Sequence, residues 1–231
     1  MESKPNILIY VDHPMCSVDC ADAVYELLKQ TRLYNVKTVG PSSWHNLLSL
    51  NKQSLHNTKC IIFPGGDGNS DQFDLYLIRY KSLIKRFVAN GGKYLGICMG
   101  GYFASDYYFD ILKGLYAPRY IKRKGACTKT QGPACLNITW KDKKRYSAYF
   151  HDGAAFIPFK DNKDLKAYAH YQNKDIAALI TNYKKGKVAV IGPHLEAPAW
   201  WFYTQPNLEK KCRSSLQHQL FLKLFKDLIY G

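Results

Sequence analysis

Gly96-Ile97-Cys98-Met99-Gly100-Gly101 decides how this chain is read. The run Lys93–Ile97 before it is short and apolar and follows Gly91-Gly92, so it reads as a strand ending in a sharp turn. A cysteine at a strand end between small residues has the pattern of a nucleophile elbow, with Cys where many hydrolases carry Ser. The reason is steric: a strained strand-to-helix turn needs small neighbours, here Gly96 and Gly100, for the chain segments to pack around it. A helix starting at Met99 would aim N–H groups and its positive dipole end at the sulfur, favouring thiolate. The Met99 N–H would then be placed to donate to an oxyanion. A buried structural cysteine beside a tight turn has the same local sequence.

Upstream, strand and helix patterns alternate. Lys4–Val11 reads as a buried strand, and Ala21–Lys29 as a helix with Ala23, Val24, Leu27 and Leu28 on one face. Asn35–Val39 is a second strand, Ser42–Leu50 a helical turn or two, and Lys59–Phe63 a third strand stopped by Pro64-Gly65-Gly66-Asp67-Gly68. Gln72–Asn90 carries Phe73, Leu77, Tyr80, Ile84 and Val88 at helical spacing, closed by Gly91-Gly92. Such alternation implies a doubly wound, flavodoxin-like α/β fold, its sheet mainly parallel with helices on both faces. Ligands of open α/β sheets sit at the carboxyl ends of the strands.

Downstream the character changes. Gly114–Phe159 is rich in Tyr, Thr, Lys and Gly without helical period, and reads as an antiparallel β-rich insertion. Ala167–Tyr171, Ile176–Tyr183 and Lys187–Ile191 read as further strands, the last two joined at Lys184-Lys185-Gly186. Leu216–Ile229 closes as an amphipathic helix with Leu216, Leu220, Leu224 and Leu228 in register. No linker or repeat divides the 231 residues, so one domain is expected over 1–231.

Composition excludes several classes. Hydrophobic residues make up 46% and charged residues 22%, which rules against disorder and coiled coil. No apolar run is long enough to span a bilayer, and Ile7–Val11 is too short for a signal peptide. A cytoplasmic protein without membrane contact is the expectation, although an exported form is compatible with the sequence. The net charge of +15 favours acidic partners, yet the basic clusters Arg119–Lys124, Lys141–Arg145 and Lys184–Lys187 read as solvated hairpins. Neither interleaved aromatics nor a zinc-finger pattern supports nucleic acid. Seven cysteines are too few for a disulfide scaffold, and their spacing does not suit zinc. One disulfide, Cys16–Cys20, is allowed in an oxidising compartment.

Two other strand ends complete a chemistry. Gly192-Pro193-His194-Leu195-Glu196 follows Val188–Ile191. His194 and Glu196 are two apart and point the same way in extended chain, so Glu196 can hold one imidazole nitrogen while the other faces a thiol. At Pro64–Gly68 the glycines let backbone approach a ligand, and the Gly66 amide is a candidate second oxyanion donor. No Gly-Lys-Ser/Thr follows to make it a phosphate loop. His13 and Cys16 occupy the same edge, and Trp200-Trp201-Phe202-Tyr203 reads as packing rather than a recognition patch.

Taken together, Phe63–Gly66, Gly96–Phe103, Gln131-Gly132-Pro133-Ala134, Tyr149–Phe156 and Ile191–Glu196 resemble class I glutamine amidotransferase-like domains. Within that group the chain is similar to the N-terminal domain of fungal biotin protein ligases, which also has stand-alone relatives. The resemblance covers about Asn6 to Trp201 and implies Cys98 as nucleophile, His194 as base and Glu196 as its orienting acid. It places His151 and Asp152 near the rim of the site, where with Gly65 and Tyr102 they are candidates for substrate binding. Working glutaminases of this superfamily usually carry His-Gln where Gly101 and Tyr102 stand here, which argues against glutamine. No Gly-Arg-Gly-x-x-x-Arg-type adenylate loop occurs, so biotin transfer is not expected.

The resulting expectation is a cysteine-dependent hydrolase or amidotransferase-like enzyme acting on a small-molecule or peptide amide, or an ester, without cofactor or metal. The alternative is a non-catalytic binding or regulatory module with a protein partner. A glyoxalase-like enzyme of the related PfpI group fits less well, because those proteins place His after the cysteine and Met99 stands here.

Overall fold

The computed structural model describes residues 3–41, 48–67, 69–204 and 207–231. The first half runs β1 (Asn6–Tyr10), α1 (Val18–Gln30), β2 (Asn35–Val39), α2 (Lys52–His56), β3 (Thr58–Phe63), α3 (Phe73–Tyr76), α4 (Lys81–Ala89), β4 (Lys93–Ile97) and α5 (Met99–Phe103). The second half runs β5 (Leu115–Tyr116), β6 (Ala134–Trp140), β7 (Arg145–Phe150), β8 (Ile157–Pro158), β9 (Lys166–His170), β10 (Ile176–Tyr183), β11 (Gly186–Ile191), α6 (Leu208–Lys211) and α7 (Ser214–Tyr230).

One sheet carries nine strands in the order β2-β1-β3-β4-β11-β10-β9-β6-β7, and β5 pairs with β8 separately. Strands β2, β1, β3, β4 and β11 are parallel, the 2-1-3-4-5 order of doubly wound folds. The expected antiparallel strands are not a separate layer: β10, β9, β6 and β7 continue the same sheet.

Period-two alternation explains the two faces. Ile7 and Ile9 of β1 turn to a core covered by α1 and α7, through Val24, Leu28, Phe221 and Leu224. Leu8 and Tyr10 turn the other way, to a core with Ile84 and Val88 of α4 and Phe103 of α5. Strand β4 is buried along its whole length, as a central parallel strand must be. Gly91 follows α4 with φ +110°; its N–H reaches the Val88 carbonyl and that of Gly92 the Phe87 carbonyl, a Schellman closure.

Several expectations are corrected. Gln72–Asn90 is not one helix: it divides into α3 and α4 with 3-10 turns at Ser70–Gln72 and Ile78–Tyr80. Phe73 sits among Phe103, Tyr108 and Phe109, and this aromatic cluster holds the first turn apart from the face that packs on the sheet. The expected helical turns at Ser42–Leu50 fall mostly outside the described residues; Ser49 bridges Gly40 in extended chain, and the helix comes later, at α2, capped by Asn51. On α7 the buried row includes Gln217, while Leu216 is 38% exposed. Lys141–Arg145 and Lys184–Lys187 are hairpin turns, but within Arg119–Lys124 lies a 3-10 turn, Tyr120–Lys122, whose flanking Arg119 and Arg123 pair with Asp152 and Asp175.

The disulfide also differs from expectation: Cys135 pairs with Cys212, while Cys16 and Cys20 are free and buried. Cys16 points its thiol at the Pro64 carbonyl, and Cys20, on α1, lies near His194. The Cys135–Cys212 bond spans 77 residues and ties β6 to the segment before α7. A tie over that length contributes about 4–5 kcal/mol by loop-closure entropy. Reduction, or Cys212→Ser, is expected to lower the melting temperature by several degrees, and peptide mapping should recover Cys135 linked to Cys212. A melting curve indifferent to reductant would contradict this.

Candidate functional site

The carboxyl ends of β3, β4 and β11 lie side by side, because Val190 pairs with Gly96, Ile191 with Ile97, and Phe63 with Gly96 across the sheet. Three loops leave there, carrying Gly65-Gly66, Cys98 and His194. Cys98 has φ +49° and ψ −106°, a region that costs a non-glycine residue of order 1–3 kcal/mol. Its N–H is held by the Ile191 carbonyl at 2.8 Å. Side chains at Gly96 and Gly100 would collide with the Gly100 and Phe63 carbonyl groups, so the turn admits only glycine at both places.

His194 is 3% exposed and Glu196 1%. Glu196 Oε1 lies 2.7 Å from His194 Nδ1, and Cys98 shares a hydrogen bond with the same imidazole, which leaves Nε2 for the sulfur. Burial alone would push the His194 pKa down and is the largest single influence. The opposing charges and hydrogen bonds of Cys98 and Glu196 together outweigh it and hold the imidazole proton well above the ordinary histidine range. As a thiol, Cys98 also faces the His151 carbonyl at 3.3 Å.

The ring of His194 is boxed in. Trp201 meets it edge-on at 5.4 Å and Tyr149 at 6.0 Å, and a Cβ at Gly65 would lie 2.6 Å from its Cε1. Backbone bonds set its height: the His194 N–H reaches the Tyr149 carbonyl at 2.8 Å. Cys20 of α1 comes close enough to feel His194, and burial pushes its thiol up to about 12, so it stays protonated.

Above this row opens a cleft of about 740 Å³. Cys98, His194, Gly66, Met99, Tyr102, His151 and Asp152 all line it, so the residues singled out in the sequence converge, with Gly65 packed beneath against His194. Two of them are also bonded to each other. The Tyr102 hydroxyl donates to the Asp152 carbonyl at 3.1 Å, and the Asp152 carboxylate is held by both Arg119 Nε and Nη2. Burial, then the charge of His194, lowers the His151 pKa. His13 and Cys16 stay outside the cleft, His13 exposed beside Asp67 and Cys16 beneath Pro64. Trp201 is buried against His194 and Trp200 is 53% exposed, and both line the cleft.

Sequence reasoning missed Cys20, Arg119 and Gln217. Arg119 carries no local signal, since its partner Asp152 is 33 residues away. Gln217 interrupts the apolar row of α7, which was a readable anomaly. A second cleft, of about 680 Å³ beside Arg145 and His170, lies on the antiparallel half of the sheet and contains no thiol. Among the described residues no helix is long and apolar enough to cross a membrane.

Comparison with known proteins agrees with the motif resemblance. The family model "Biotin-protein ligase, N terminal" matches residues 5–113. The biotin–protein ligase of Schizosaccharomyces pombe is 28% identical over 171 residues, which cover 62% of this chain and 26% of the ligase. The chain thus spans about a quarter of that relative's length. A glutamine amidotransferase of Thermotoga maritima superposes with a TM-score of 0.64 over 100% of both chains at 12% identity. PurLQS from the same organism gives 0.62 over 98% of this chain and 100% of its own, at 15% identity. The fold is therefore that of glutamine amidotransferase-like α/β proteins, and the sequence is similar to the N-terminal region of biotin-protein ligases.

Replacing Glu196 by Gln keeps the shape and removes the charge that helps hold the His194 proton. Peptide-resolved alkylation of Cys98 near pH 6.5 is expected to slow roughly tenfold in Glu196→Gln, as the imidazolium beside the sulfur loses its carboxylate partner. An unchanged rate would show that the carboxylate does not act on the pair.

Proposed function

We propose that this protein is a cysteine-dependent hydrolase or amidotransferase-like enzyme acting on a carboxamide or ester carbonyl. The reading is carried by one observation: Glu196, His194 and Cys98 are hydrogen-bonded in series at the carboxyl edge of the sheet. In that order a thiolate is stabilised by an imidazolium, and the imidazolium by a buried carboxylate.

The chemistry follows from the positions. The Cys98 sulfur attacks the carbonyl carbon, and the carbonyl electrons move to oxygen. The Gly66 and Met99 amides, both lining the cleft, hold that oxyanion. His194 gives its Nε2 proton to the departing amine or alcohol as the tetrahedral adduct collapses to a thioester. Water, deprotonated by His194, then attacks the thioester, and the sulfur leaves as the acid product forms. Because the His194 proton is held to above the ordinary histidine range, the acid role persists through neutrality and is lost only as pH rises through that raised value.

Glutamine is not the proposed substrate. Gly101 has no side chain to offer, and the Tyr102 hydroxyl is already engaged with the Asp152 carbonyl. The substrate is instead a small-molecule or peptide amide, or an ester, that enters the cleft lined by Trp200 and Tyr102. A second reading, a non-catalytic module akin to the ligase N-terminal region, is favoured by the Arg119–Asp152–Tyr102 chain, which closes one wall of the cleft by internal bonds. The cytoplasmic placement expected from the sequence gives way in this proposal to an oxidising compartment, where a disulfide such as Cys135–Cys212 persists.

Incubation with p-nitrophenyl esters and activated amides, read by intact mass, is expected to trap an acyl adduct on Cys98. Cys98→Ala is expected to lose the adduct and reduce turnover at least about a thousandfold. Turnover surviving in Cys98→Ala would overturn the reading. A ligand still bound by that variant, with no turnover in the wild type, would establish the second one.

A further inference from the structure

We propose that Gln217 of α7 is a positioning residue that sets the aim of His194 at Cys98; the role rests on the Cys-His-Glu reading above. Gln217 is fully buried, in a row that is otherwise Leu220, Phe221, Leu224, Phe225, Leu228 and Ile229. The apolar spacing of the helix would have buried Leu216 instead, and α7 leaves that leucine 38% exposed. A helix that exposes a leucine to bury an amide forgoes apolar burial, and the amide must then be fully bonded to be tolerated there.

Both ends of the Gln217 amide are used, and both on segments that carry the imidazole. Oε1 accepts from the Tyr149 N–H at 3.0 Å, and the Tyr149 carbonyl accepts from the His194 N–H at 2.8 Å. Nε2 donates to the Ala197 carbonyl at 3.0 Å, one residue beyond Glu196. The Ala197 N–H in turn reaches the His194 carbonyl at 3.3 Å. The 194–197 turn is therefore clamped between β7 and α7, with one side chain spanning the gap. The next residue, His218, adds to the clamp, its Nε2 lying 3.1 Å from the Glu196 carbonyl and 3.0 Å from that of Ala197.

Without the Gln217 bridge the direct His194–Tyr149 backbone bond and the His218 contacts remain, but the Ala197 end of the turn loses its tie to β7, and the aim of the His194 ring at the sulfur loosens. Misplacement on the scale of an ångström costs an activated group far more than it costs the fold. The titratable groups facing His194 are Cys98, Glu196, Cys20 and Tyr149, with His151 and His218 beyond them. None of these is altered by Gln217→Leu, whereas Gln217→Glu adds a carboxyl to the set.

The test is the pH profile of Cys98 alkylation by iodoacetamide in the full chain, resolved by peptide mass, with exposed Cys127 as the reagent control. Gln217→Leu removes both bonds, and Gln217→Glu retains the acceptor toward Tyr149. For folded Gln217→Leu the rate near the ordinary histidine pKa of about 6.5 is expected to fall roughly ten- to a hundredfold. The profile should move toward that of a plain thiol, with Gln217→Glu between the two. A folded Gln217→Leu protein with the wild-type profile overturns the role. Should that variant not fold, a wild-type profile in Gln217→Glu overturns it equally. A wild-type protein whose Cys98 already alkylates as a plain thiol fails the underlying Cys-His-Glu reading instead, and the role of Gln217 falls with it.

Discussion

The hydrogen bond between Glu196 and His194 is the contact on which the rest of this site depends. An imidazolium this deeply buried is untenable alone, because water no longer solvates its charge. A carboxylate on one nitrogen and a sulfur on the other reverse that balance, so the ring keeps its proton in a place where burial would strip it. The orientation of the ring, the strained backbone at Cys98 and the aromatic box all serve that arrangement.

The sheet supplies the geometry. Strands β4 and β11 run parallel in register to their ends, so Cys98, one residue past Ile97, and His194, three past Ile191, leave the same edge. The turn at Cys98 is anchored across that edge by the Ile191 carbonyl, which makes the spacing between the two loops a property of the ladder. The antiparallel half of the molecule then closes the site from the side: β7 holds the His194 backbone, and Arg119 with Asp152 forms the opposite wall. The Cys135–Cys212 disulfide joins β6 to the chain carrying Trp201, the residue that covers the imidazole.

What was legible in the sequence follows from the range of the forces involved. Strands β1, β3 and β4 were readable because buried parallel strands are nearly continuous apolar runs bounded by turn residues. Cys98, His194 and Glu196 were readable because each sits at such a strand end with a short-range signature, glycines in one case and the His-x-Glu spacing in the other. The break between α3 and α4 was not, since it answers to aromatic partners some thirty residues away. Neither the Cys135–Cys212 pairing nor the Arg119–Asp152 pair leaves any local trace. The asparagine cap of α2 was present in Asn51 and Ser54 and went unread because the apolar spacing just before it pointed elsewhere.

The central claim is that His194 is a buried imidazolium held between a sulfur and a carboxylate, and nitrogen-resolved NMR of the histidine rings tests it most directly. The account predicts that His194 carries protons on both ring nitrogens well above the ordinary histidine pKa of about 6.5, with the Nδ1 proton in a strong hydrogen bond to Glu196. It also predicts that Cys98→Ala lowers that titration. A His194 ring that is singly protonated at neutral pH, or that titrates identically with and without the sulfur, would contradict it.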